Sequence, residues 1–161
     1  MALAVGGFAW CGLIILSPFL LASSAPGGAE TGFLLRVFFS PVCHQEIARS
    51  LSLWSKPLAV CARCTGIYAG FTLAVFAYPV VRARWSQPLR LPGLAAFLVL
   101  TVLDYAGTLA GIWENTALSR LATGLVAGAG LGLFLTPAWI ALWRGSPYTK
   151  PHVSFPASRK L

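Results

Sequence analysis

Apolar positions fall into four long runs, approximately Ala2 to Ala22, Thr65 to Val81, Gly93 to Trp113 and Leu121 to Trp143. Each is near the roughly 20 residues a helix needs to cross about 30 Å of hydrocarbon. In lipid every backbone polar group must be satisfied internally, which helices achieve segment by segment. The pattern therefore predicts an all-α, polytopic transmembrane helix bundle of about four spans. The small residues Ala22-Ser23-Ser24-Ala25 resemble a signal-peptide cleavage site, but no Lys or Arg precedes the first run and Pro26 would follow the cut. An uncleaved first span is expected.

The connections are unequal. Residues 23–64 form the one long link, opening with Pro26-Gly27-Gly28 and containing Phe33-Leu34-Leu35-Arg36-Val37-Phe38-Phe39. That aromatic stretch is too short to cross and predicts a short interfacial or re-entrant helix in the first loop. The second link, Arg82 to Pro92, carries three Arg and no acid; the third, Glu114 to Arg120, is short. The boundaries predict one bundle domain over residues 1–145 and a polar, flexible tail over 146–161.

Composition agrees: of 161 residues 57% are hydrophobic and 10% charged, against about one-quarter charged in ordinary soluble domains. A net charge of +8 would suggest nucleic acid in a soluble protein. Here the bases are scattered between apolar runs and read as topology determinants and lipid contacts, with no nucleic-acid partner. With four crossings, both termini and the Arg82 to Pro92 loop share one side, which collects seven Lys/Arg against at most five opposite. The excess of bases predicts cytoplasmic termini and an inner-membrane protein.

Spans two to four carry small residues four apart: Gly66 and Gly70, Gly107 and Gly111, then Gly124, Gly128 and Gly132. Such faces let helix backbones approach closely in lipid. They predict a compact bundle, or a docking face for a membrane-protein partner.

Helix alternation puts the first loop, the start of span two, the end of span three and the start of span four on one membrane face, expected to be extracytoplasmic. That face holds Cys43, His44, Gln45, Glu46, Arg49, Cys61, Arg63, Cys64, Glu114, Asn115 and Arg120. A CxxC at a helix start brings two sulfurs together where unpaired amides favour thiolates. Cys43 and His44 would complete a Cys3His set of the kind zinc prefers, although adjacent residues project differently. Cys61 and Cys64 could instead form a redox-active or structural disulfide, with Cys43 as resolving thiol. A c-type haem is disfavoured because Thr65 follows Cys64, and Cys11 reads as a core residue. Asp104 lies inside span three, about 14 Å from its end, where an unpaired charge is costly. It needs a partner, for which Arg63, Arg120 and Tyr68 are placed. Arg49, Arg63, Asn115 and Tyr68 are candidate contacts to an anionic or lipid-linked substrate, with Asp104, Glu114 and Arg120 as candidate catalytic groups. His152, in the tail, falls on the opposite face.

At Cys43-His44-Gln45, Arg49-Ser50 and Cys61-Ala62-Arg63-Cys64-Thr65-Gly66-Ile67-Tyr68-Ala69-Gly70 the sequence resembles a bacterial family of predicted membrane proteins of unknown function. Asp104, Glu114, Asn115, Arg120, Thr123 and Gly124 look like further positions of that family's pattern, and the likeness spans roughly residues 36–135. It implies that the polar face is one functional site but brings no activity. Three readings stand: a zinc-dependent membrane protein, a membrane thiol-disulfide oxidoreductase, and a non-enzymatic subunit or scaffold of a larger complex.

Overall fold

Where each helix stops is decided by a few residues at its ends. The computed structural model describes residues 2–85 and 89–143, in which four helices are long and apolar enough to span a membrane: α1 (Ala2–Ala22), α3 (Ala62–Arg84), α4 (Leu91–Leu109) and α5 (Ala117–Trp143). The polar tail expected over 146–161, with His152, lies outside the described residues. So do Arg144, Lys150, Arg159 and Lys160, four of the bases that set the expected orientation.

Two ends differ from the hydropathy boundaries. α4 stops at Leu109 because Gly111 takes a left-handed φ of 68°. The amide of Ile112 then returns to the Gly107 carbonyl at 2.9 Å, satisfying an otherwise orphan acceptor. Trp113 folds back over Gly107, where any Cβ would overlap its ring. The Gly107/Gly111 pair is thus a helix stop with an indole seat, and not the helix-packing face expected from its spacing. At the start of α5, Thr116 Oγ1 accepts the Ser119 amide at 3.1 Å and closes a first turn that begins at Ala117, four residues ahead of the apolar run.

The other glycines behave as expected of small residues in lipid. Gly66 rests against the backbone of Leu121, Gly70 against Leu125, Gly124 against the Arg63 carbonyl and Gly128 against the Ile67 carbonyl. Residue numbers rise together on the two sides, so α3 and α5 pack in parallel. An added Cβ at any of the four would meet backbone. This face is consumed inside the chain and is not available to a partner. α4 runs antiparallel to α5, with Thr101 Oγ1 donating to the Thr123 carbonyl at 2.8 Å and Phe97 seated on Gly130. α1 runs antiparallel to α3, with Trp10 edge-on to Tyr68 and Phe8 to Phe76.

The long loop is structured. Helix α2 (Gly28–Phe39) folds back along α1: Ser17 Oγ donates to the Gly32 carbonyl at 2.9 Å, and Phe38 and Phe39 reach Trp10. Its outer side exposes Phe33, Leu34, Val37 and Phe38, an apolar surface suited to lipid. The chain then makes a two-stranded antiparallel hairpin of β1 (Ser52–Leu53) and β2 (Lys56–Pro57), turning through Trp54 and Ser55 at positive φ. Phe39, Cys43, Leu58, Ala59 and Val60 bury against Ile14 in a small core above the start of α3.

Candidate metal centre

That small core delivers the cysteines. Cys43 is buried just after α2, Cys61 caps the start of α3, and Cys64 stands on its first turn. The three Sγ atoms lie within 4.8 Å of one another, and all three thiols are free. The Cys43 sulfur accepts the amides of Cys61 at 3.2 Å and Gln45 at 3.4 Å. Cys61 lies at the helix N-terminus, where unpaired amides favour anions. Hydrogen bonding by the Cys64 side chain, supported by the Cys64 backbone and by Cys43, lowers its pKa to about 5 against the opposing effect of burial.

His44 is exposed and does not join the three sulfurs. Adjacent side chains project in different directions, and Gln45 follows in a left-handed conformation at a φ of 51°. Cys11 sits apart in α1, where its sulfur lies 3.7 Å from Thr72 Oγ1.

The loop is pinned by residues whose contribution the sequence did not reveal. Gln45 Nε2 donates to the carbonyls of Arg36 and Ala59, and Arg36 Nη1 donates to the Leu58 carbonyl at 2.9 Å and the Pro57 carbonyl at 3.3 Å. The available signal was Arg36 itself, a base within an apolar stretch that must find acceptors.

Beside the sulfurs, Arg63 pairs with Asp104. Asp104 Oδ2 also receives Asn115 Nδ2 at 3.0 Å and the Thr123 hydroxyl at 3.4 Å. Spans α3, α4 and α5 are thereby tied at one carboxylate, and the charge inside α4 is compensated as lipid requires. Arg63 also lies over the Tyr105 ring, 5.9 Å from its centre. A cavity of about 420 Å³ adjoins the sulfurs, lined by Cys61, Cys64, Arg49, Arg63, Asn115 and Arg120 among others. Arg49 pairs with Glu46 at 2.9 Å, both being largely exposed.

Of the candidate substrate contacts, Arg49, Arg63 and Asn115 thus reach one cavity. Tyr68 lines a separate apolar groove of about 460 Å³ with Trp10 and Thr72. Of the candidate catalytic groups, Arg120 lines the cavity. Asp104 is engaged in holding Arg63 and Asn115, and Glu114 is exposed and does not line the cavity.

Two archaeal proteins are similar. An uncharacterized protein of Methanocaldococcus jannaschii is 29% identical over 111 residues, covering 67% of this chain and 70% of its own. An uncharacterized protein of Methanothermobacter thermautotrophicus is 36% identical over 97 residues, covering 59% of this chain and 85% of its own. Both are archaeal, where the expected resemblance named a bacterial family. No solved structure matches. Residues 43–134, from the first cysteine of the cluster to the middle of α5, match one family throughout, and the chain belongs to that family, described as predicted membrane protein (DUF2085).

Proposed function

We propose that this chain is a zinc-dependent membrane protein in which Cys43, Cys61 and Cys64 hold the metal and a fourth position opens to the cationic cavity. The carrying observation is the convergence of three free thiols within 4.8 Å, from a loop and a helix start held together by amide-to-sulfur hydrogen bonds. Three thiolate ligands suit a soft-ligand metal, and zinc sites with three protein ligands keep a position for water or substrate. Arg63, Arg120 and Arg49 along the wall favour an anionic ligand there. Asp104 acts in this reading by positioning, through Arg63 and Asn115. The expected location is the inner membrane with cytoplasmic termini and the cysteines on the opposite side.

One observation favours a second reading, the thiol-disulfide oxidoreductase: the lowered pKa of Cys61 with Cys64 as its hydrogen-bond partner. Metal content and free-thiol number of detergent-purified protein separate the two. About one zinc per chain, lost in Cys61→Ser and in Cys43→Ser, supports the metal site. Metal-free protein whose Cys61 and Cys64 interconvert between thiols and a disulfide would replace it with the redox reading.

A further inference from the structure

The cavity beside the sulfurs opens among the first turn of α3, the last turns of α4 and the residues that lead into and begin α5. Apolar side chains at that end are exposed, Leu118 72%, Leu109 78% and Tyr105 55%, and Leu109 and Tyr105 also line the cavity. On helices long and apolar enough to span a membrane such a surface suits lipid.

The cavity lining is mixed, with Arg49, Arg63, Asn115 and Arg120 beside the apolar Ile67, Tyr105 and Leu109. Asn115 is held by its own bonds, with Nδ2 spent on the Asp104 carboxylate and on its carbonyl at 3.3 Å. The Arg120 guanidinium has no counter-ion among the described residues, and a ligand that offers anionic oxygens to Arg63 and Arg120 supplies one.

We propose that this cavity binds a phosphate-type anion carried on a lipid headgroup, which enters sideways from the bilayer and leaves its chains against Leu109 and Tyr105. The inference takes its place beside the proposed metal position, and the ligand class is set by the mixed cationic and apolar lining rather than by the metal.

The test is titration of purified protein in detergent with short-chain phosphatidylglycerol, phosphatidylmethanol, phosphatidylcholine and inorganic phosphate, read by native mass spectrometry with zinc content measured on each sample. Phosphatidylglycerol and phosphatidylmethanol, both anionic, should bind more tightly than zwitterionic phosphatidylcholine. Arg120→Gln should weaken anionic-lipid binding by about tenfold or more, Arg120→Lys should retain most of the binding, and Arg82→Gln, at the other end of α3, should leave it unchanged. Equal binding of phosphatidylcholine, or no loss in Arg120→Gln, overturns the inference. Inorganic phosphate matching the lipid in affinity overturns the lipid source and leaves a free-anion site. Arg120-dependent lipid binding in protein that holds no zinc would uphold this inference while the metal reading failed.

Discussion

The sulfur of Cys43 accepts the backbone amide of Cys61 at 3.2 Å. Through that bond the loop after α2 is joined to the first residue before α3, eighteen positions later, and the three thiols acquire a common centre. The donor is main chain, so it survives substitution of the Cys61 side chain. Cys61→Ser should therefore remove a ligand without opening the loop, whereas Cys43→Ser should do both. Limited proteolysis within residues 44–60 should be faster in Cys43→Ser than in Cys61→Ser; equal rates would show that the sulfur does not hold the loop.

Breaking the Arg63–Asp104 pair should cost more than removing it. Asp104→Asn leaves Arg63 without its counter-ion at a site where Asp104 is 10% and Arg63 21% exposed. Loss of one partner from a buried pair costs roughly 3–5 kcal/mol. Arg63→Met with Asp104→Leu should recover much of that stability in a thermal-unfolding series in detergent. Such a double variant should still fail to bind anion in the cavity. A double variant no more stable than the singles would mean that the pair is not the main constraint there.

Gly124→Leu and Gly128→Leu should disrupt the bundle, because the incoming side chain meets the carbonyls of Arg63 and Ile67 rather than a movable side chain. Gly12→Leu, at a position with open space, should be tolerated. Monodisperse recovery on size-exclusion chromatography distinguishes them. Equal recovery of Gly124→Leu and wild type would contradict the parallel α3/α5 contact.

With Cys61 held near a pKa of about 5, metal-free protein should show rapid iodoacetamide labelling of Cys61 at neutral pH. The rate should be nearly flat from about pH 6 to 8 and fall as pH drops through 5. The same lowering below the ordinary thiol value of 9.0 means the thiolate stabilises the fold. That contribution is complete above the unfolded value and is lost as pH falls through about 5. Labelling that rises tenfold per pH unit across the neutral range, as for an ordinary thiol, would contradict the hydrogen-bonded pair.

The spans were legible because apolar length is a one-dimensional property, and the α3/α5 glycine face because its spacing matches helix geometry. The end of α4 was less so. Gly111 reads equally as a small packing residue or as a left-handed stop, and its φ decides which. The hairpin at Ser52–Pro57 gave no signal, since its turn uses Trp54 and Ser55 at positive φ in place of glycine or asparagine. In the site, the Cys61–Cys64 spacing marked two of the three converging sulfurs and Asp104 announced its need for a partner. That Cys43 and His44 would not both face one centre was legible from their adjacency, but which of the two joins the sulfurs was not.

X-ray absorption at the zinc edge of purified, zinc-loaded protein tests the central claim most directly. The account predicts three sulfur scatterers at about 2.3 Å and one nitrogen or oxygen near 2.0 Å, the light scatterer being retained in His44→Ala because His44 stands outside the sulfur cluster. Four sulfurs, a light scatterer lost with His44, or no bound zinc would contradict an open three-cysteine centre.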